Sequence, residues 1–512
     1  MKLMSMGMLM VLALAGCGGG GGGTASTGVS TGGTTGATSA AQLAQICSAN
    51  NPFRADALEP TRAGSLADER NWIRAYFDER YLWYRDVPAV SANADKYNVT
   101  TYFNPYSNFV ESINNYFQDL RNPAFTVTGT KVDKFSFLTS TSYWNDYSQG
   151  EALGYGWQLS DQGTLATRRV RVSHVFQSTQ TGFAALASVQ RGDEILSVNG
   201  NPVNSTSTSI QNVVNQALSP SAAVNTTFVI RPVGSVSTRT VTLTAANVVL
   251  PQAEHKVVID QGVKWGYLLF NAHIDSAEAP LLAAMTDFQA QGIDQLVLDL
   301  RYNGGGYLAM ASAVSYAIAG VARTQNKTFE TLRYNDKRSG GNQSVPFYST
   351  GRNSVAPFAT LNLSKVYVLT TADTCSASES IINGLRGIDV EVVQIGSTTC
   401  GKPYGFVPQD NCGITYAAME FEGVNDKGLG GFSDGFVPQC AVSDDLSFQL
   451  GVTTEPMFAT AIARHRGLPC TSPSASSALS SANLRGMGAS TQRVIRPHWQ
   501  EAKILKPSAT AP

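Results

Sequence analysis

Residues 365–405, KVYVLTTADTCSASESIINGLRGIDVEVVQIGSTTCGKPYG, hold two apolar runs separated by a segment of helical spacing. The run 366–370 predicts a buried strand, while Ile381, Ile382 and Leu385 recur at helical intervals and predict a helix over 377–385. Ser376 therefore stands at a strand-to-helix turn, where the first helical N–H groups lack intrahelical partners and point at whatever binds beside them. Such a turn suits a nucleophile attacking a carbonyl, because the same N–H groups can hold the oxyanion that forms. A second apolar run, 390–395, predicts another strand, and Lys402 follows 26 residues after the serine, placed to serve as its general base. Plainer roles fit the same residues. Ser376-Ala-Ser-Glu379 matches a capping box, in which the serine only caps the helix, and a Gly-Lys-Pro turn commonly leaves its lysine in water. Residues 396–402, GSTTCGK, match the first seven positions of a phosphate-binding loop, but Pro403 replaces the Ser/Thr that would ligate magnesium, which argues against nucleotide binding.

A second motif lies upstream. Leu296-Val-Leu-Asp-Leu-Arg-Tyr-Asn-Gly-Gly-Gly306 is an apolar strand that ends at Arg301 and runs into three glycines, residues that permit positive φ and a close approach of backbone to ligand. With DLRxNxGG, SASE and the later lysine together, the sequence resembles the S41 peptidases, the C-terminal processing protease family, over roughly residues 50–465. The resemblance implies that Ser376 is the nucleophile and Lys402 its base. It also implies an oxyanion hole formed by Gly305 or Gly306 together with the N–H of Ala377. In such a dyad the lysine must be neutral to accept a proton, and burial lowers a lysine pKa by up to ~3–5 units. Two departures from the family pattern stand out: Phe406 occupies the place of a glutamine four residues after the lysine, and the serine–lysine spacing is one residue longer than usual. Gln409 is the nearby candidate for the missing orienting role.

The chain has 512 residues, 43% of them hydrophobic, and a formal net charge of −1. It is long enough for two or three domains, and without a basic cluster it does not read as a nucleic-acid binder. One lysine and a short apolar run over residues 8–15 read as a signal peptide, residues 1–16, too short to span a membrane. Leu14-Ala-Gly-Cys17 resembles the bacterial lipobox, which implies a lipidated Cys17 and a membrane anchor. Gly18 after it resembles the outer-membrane class, so the expected location is the periplasmic side of the envelope. Residues 17–43 are then a Gly/Ser/Thr-rich tether. Beyond Cys17 six cysteines remain, an even number that suggests disulfides without fixing their pairing. Cys375, beside Ser376, is the alternative nucleophile. No CxxC or HxxxH spacing supports a metal, and the five histidines are scattered. No cofactor is expected.

Residues 44–138 carry aromatic and aliphatic residues at helical spacing, over 66–84 and again over 108–120, and predict a small N-terminal helical domain. Residues 140–248 resemble a PDZ domain. Gly154-Tyr155-Gly156-Trp157 resembles its carboxylate-binding loop, residues 183–200 its following helix, turn and strand, and 227–232 and 237–244 its closing strands. Strands and helices then alternate through 249–470, which predicts an α/β core with a mainly parallel sheet and its site at the strands' carboxyl ends. Within that core, 417–433 reads as a glycine-rich loop, and 471–512 reads as a tail that loses order toward its end. Together these features predict a serine endopeptidase that takes exported proteins or their C-terminal tails, with apolar C-termini captured by the PDZ groove. The alternative is a proteolytically degenerate PDZ-containing envelope protein that binds without cutting.

Overall fold

The computed structural model describes residues 38–98, 108–176, 188–220, 222–470, 492–495 and 503–504. Cys17, residues 18–37 of the expected tether and residues 183–187 of the expected PDZ helix lie outside the described residues; the end of that tether is corrected, since Ala40–Leu43 is a helix capped by Ser39. The central sheet has six strands in the order Ala253–Asp260, Val263–Phe270, Gln295–Asp299, Lys365–Thr370, Glu391–Gly396 and Cys440–Ala441. The first pairing is antiparallel and the other four are parallel, so the mainly parallel α/β expectation holds.

The strand sequences are apolar at consecutive positions because both sheet faces are covered. Tyr267, Val297, Tyr367 and Val393 lie in one register row and pack with Phe458 and Ile462 of the helix Pro456–His465. One residue further on, Leu268, Leu298 and Val368 turn to the opposite face, against the helices Glu278–Gln291, Leu308–Ala319 and Ala377–Gly387. This is the period-two alternation of a strand with an apolar layer on either side.

The N-terminal aromatic stripe belongs to that same core. Trp72 and Tyr76 of the helix Leu66–Arg80 and Phe117 of Asn108–Asp119 surround Tyr416, with ring centroids 4.9, 6.4 and 6.1 Å away. The strand Phe137–Ser140 pairs with Ile414–Ala417, and a Cys47–Cys412 disulfide closes the same junction. The described residues of 151–249 form a β-rich body around their own hydrophobic cluster, which includes Tyr155, Trp157, Ile195, Phe228 and Val214 of the helix Thr208–Leu218. Arg191 of this body reaches the central region, where its buried guanidinium meets Asp444, the Tyr302 hydroxyl and the Phe448 carbonyl.

Two expectations are corrected. Residues 417–433 are not a continuous loop: Phe421–Val424 is a strand between Thr328–Tyr334 and Tyr404–Gly405. The C-terminal region is not all irregular either, since Arg493–Val494 and Lys503–Ile504 are strands. Both were hidden because their partners are distant in sequence, so no local alternation announces them. Among the described residues no helix is long and apolar enough to cross a membrane.

Candidate active site

Three neighbouring parallel strands deliver the candidate residues at their carboxyl ends, where open α/β sheets build their sites. Gln295–Asp299 leads to the glycines 304–306, Lys365–Thr370 to Ser376, and Glu391–Gly396 to Lys402. Ser376 has φ 61° and ψ −113° at the start of its helix, a left-handed φ that costs a non-glycine residue on the order of 1–3 kcal/mol. An ordinary capping serine has extended backbone and its hydroxyl on a helical N–H. Here the Ser376 hydroxyl is fully buried with no hydrogen-bond partner. The backbone half of the capping box is made by the Ser376 N–H, which donates to Glu379 Oε2 at 2.8 Å.

Glu379 does more than close a cap. Its buried carboxylate also accepts the N–H groups of Gly401 and Lys402, each at 2.8 Å, and the Thr399 hydroxyl at 2.6 Å. Burial pushes this acid upward against those hydrogen bonds. One side chain thus ties the serine's turn to the lysine's segment, a role that the SASE motif offered and the capping interpretation concealed. The second tie is covalent: Cys375 and Cys400, neighbours of the two candidates, form a disulfide with Cα atoms 5.1 Å apart. That bond removes Cys375 from consideration as a nucleophile. Cys375, Glu379 and Cys400 place their ligand atoms within 4.8 Å of one another, but the disulfide leaves neither sulfur as a metal-binding thiolate.

Lys402 is fully buried, so the exposed Gly-Lys-Pro turn does not form. Its Nζ lies 5.2 Å from the centroid of Phe135 and 5.6 Å from that of Phe406. Phe406 itself packs on Phe137 and Trp144, filling with an aromatic ring the position expected to carry an orienting amide. Gln409 does not replace that amide: its Nε2 donates to the carbonyls of Val407 and Pro408 in its own loop.

The glycine turn is held by Asn303 and His273. Asn303 Oδ1 accepts the Gly305 N–H at 2.9 Å and faces His273 Nδ1 at 3.0 Å, while its Nδ2 donates to the Phe270 carbonyl. Its own carbonyl accepts the Cys375 N–H and the Ser378 hydroxyl, each at 3.0 Å, which locks the glycine turn to the serine's turn. Gly306 has φ 138°, and a Cβ there would sit 2.3 Å from the His273 carbonyl oxygen, so only glycine fits. Gly154 to Trp157 form a tight turn between two strands, with Gly156 at φ 82°. Tyr155 and Trp157 point into the β-rich core, so any ligand at this turn must use its backbone.

His273 is fully buried and its Nε2 has no partner. Desolvation drives its pKa down to about 3, outweighing the Asn303 and Gly305 hydrogen bonds that would raise it. The neutral imidazole therefore stabilises the fold at pH values above the unfolded value of about 6.5, and that contribution is lost as pH falls toward 3. Stability should decline over this window by up to about 1.4 kcal/mol per pH unit from this group. Thermal melts of wild type and His273→Gln at pH 7.5, 6 and 5 check this: the variant's curve should be flatter, and parallel curves would contradict it.

The disulfide gives a second expectation. A dyad of Ser376 and Lys402, the role the sequence resemblance implies, would lose on the order of 100-fold in rate on a displacement of about 1 Å, so Cys375→Ser with Cys400→Ser should then lower turnover by about 10–100-fold in a chain that still folds. Unchanged turnover, with mass spectrometry verifying the oxidised wild type, would remove the bond from the site's architecture.

Residues 264–409 match the model of peptidase family S41. A carboxyl-terminal-processing protease of Picosynechococcus sp. is 25% identical over 255 residues, covering 50% of this chain and 55% of that protein. The aligned part thus spans about half the length of this curated relative. A crystal structure from Bacteroides fragilis NCTC 9343, assigned to the S41 proteases, superposes with a TM-score of 0.58 at 24% identity, covering 77% of this chain and 97% of that one. At that identity the likeness is one of fold. Over residues 264–409, then, the chain is similar to peptidase family S41.

Proposed function

We propose that the chain is a serine endopeptidase working through a Ser376–Lys402 dyad. The observation that carries this is the Ser376 hydroxyl: buried, without a partner, and held at a strained helix start that is tied to the lysine's segment. In the mechanism, Ser376 Oγ attacks a peptide carbonyl carbon while the Lys402 amine takes its proton. The oxyanion rests on the N–H groups of Ala377 and Gly306. Gly306 is favoured over Gly305 because the Gly305 N–H is taken by Asn303. Collapse breaks the C–N bond, the leaving amine takes the proton back from Lys402, and an acyl-enzyme remains. Water then attacks the ester, again giving a proton to Lys402, and releases the acid and the serine.

Substrates would be extended polypeptides whose apolar C-termini dock at the Gly154–Trp157 turn of a PDZ domain, with the enzyme held at the envelope by a lipidated Cys17. Incubating the purified chain with denatured casein tests the core of this proposal. Fragments should appear with wild type and not with Ser376→Ala. Cleavage by both would refute the serine assignment, and cleavage by neither would favour a protein that only binds.

A further inference from the structure

The C-terminal strands lie on the two surfaces a peptide substrate would use. Arg493–Val494 adds antiparallel to the open edge of Trp157–Gln162, with Arg493 opposite Asp161 and Val494 opposite Ser160. The Ile495 N–H donates to the Leu159 carbonyl at 2.8 Å. Val494 is buried, and Ile495 packs against the core of the β-rich body. This is strand addition, in which backbone hydrogen bonds supply affinity and alternate side chains supply selectivity. The register gives the direction: from 493 to 494 the segment advances toward the start of that strand, and so toward the Gly154–Trp157 turn.

The same segment touches the serine's loop. The Val494 N–H donates to Asp373 Oδ2 at 2.8 Å, and Arg493 Nε donates to Asp373 Oδ1 at 3.0 Å. Asp373 is buried and stands three residues before Ser376. Gln492 Nε2 donates to Asp444, the carboxylate that also receives Arg191 and Arg301. Further along, Lys503–Ile504 pairs in parallel with Gly306–Tyr307, the strand that begins at the candidate oxyanion glycine.

We infer that the C-terminal segment is a built-in ligand of this chain. It occupies the peptide-binding edge and the strand beside the candidate nucleophile until a polypeptide of matching chemistry displaces it. The matching chemistry is written in the segment: a basic residue for Asp373, then two β-branched residues, the first buried and the second packed on the β-rich core. An internal Arg-Val-Ile-like stretch in extended conformation fits this edge. Occupancy is read directly from the strand pairing, whereas competition with substrate rests on the peptidase function proposed above.

The test uses the full-length chain and Ile495→Pro, which removes the N–H given to Leu159 and should free the edge. Hydrogen exchange over residues 157–162 should quicken by about fivefold or more, as expected for loss of a ladder bond. A fluorescein-labelled peptide of residues 490–497 should bind the variant about tenfold more tightly than wild type, and casein turnover should rise by a similar factor. Arg493→Ala, at a partly exposed side chain, should shift all three readouts the same way by less, and covers the case in which the proline variant does not fold. Unchanged exchange and unchanged peptide binding in a folded variant would overturn the inference. If both change as expected while neither protein cuts casein, the internal ligand stands and the peptidase function falls. If casein is cut equally by wild type and variants with peptide binding unchanged, the peptidase function stands and the internal ligand falls.

Discussion

Lys402→Arg should abolish casein hydrolysis as fully as Lys402→Ala, by about 10³-fold or more, and as fully as Ser376→Ala. Arginine keeps the charge of lysine and reaches at least as far, so a residue needed only for its charge would tolerate it. A general base would not, because guanidinium stays protonated at any useful pH. Groups that act as one unit are strongly non-additive, so the Ser376→Ala/Lys402→Ala double variant should be little worse than either single one. Lys402 is buried between Phe135 and Phe406, and arginine is bulkier there. Circular dichroism and a thermal melt must therefore accompany the rates. A folded Lys402→Arg enzyme with more than a few percent of wild-type turnover would end the dyad mechanism.

Arg301→Ala should cost about 3–5 kcal/mol of stability, the largest loss expected of any single substitution considered. Arg301 is wholly buried, and its guanidinium serves three carboxylates: Asp299 at 2.9 Å, Asp444 at 2.7 Å and Glu455 at 3.1 Å. Removing it leaves three buried acids, of which only Asp444 keeps another arginine, Arg191. In the intact chain burial would raise Asp444, but Arg191 and Arg301 outweigh it and hold the acid at about 2. Without Arg301 only Arg191 opposes the burial of Asp444, so this acid would bind its proton more tightly than in the intact chain. The variant's deficit should therefore shrink as pH falls from 7.5 toward 4.5. Urea titrations of wild type and variant at those two pH values measure it. A deficit below about 1 kcal/mol, or one that does not change with pH, would show that the cluster is not held by this arginine.

The parts of this molecule legible from sequence are those whose information is local. The runs 366–370 and 390–395 and the helix from Ala377 announce themselves by apolar spacing, and the glycines after Asn303 mark a turn in which a Cβ at Gly306 would clash. What escaped is non-local. Glu379 looked like half of a cap because nothing in SASE says that its carboxylate also collects N–H groups from residues 401 and 402. Asn303 and His273 lie 30 residues apart, and neither has meaning until the sheet brings them together. Cys375 and Cys400 were visible as cysteines but not as a pair. Arg493–Val494 is too short for any periodicity to register and exists only because an edge is waiting for it.

The Cys47–Cys412 disulfide spans 365 positions, and it sits where Phe137–Ser140 meets Ile414–Ala417. Because synthesis runs from the amino end, the first of these cysteines must wait for 365 further residues before its mate exists. Contacts of such separation close late and slowly. The aromatic groups around Tyr416 lack their central ring during that interval. The clasp is thus a clock: a chain truncated ahead of residue 412 lacks both its locking thiol and the tyrosine that completes the aromatic core. Until Tyr416 is present, the helices Leu66–Arg80 and Asn108–Asp119 cannot complete the aromatic contacts that join them to the core.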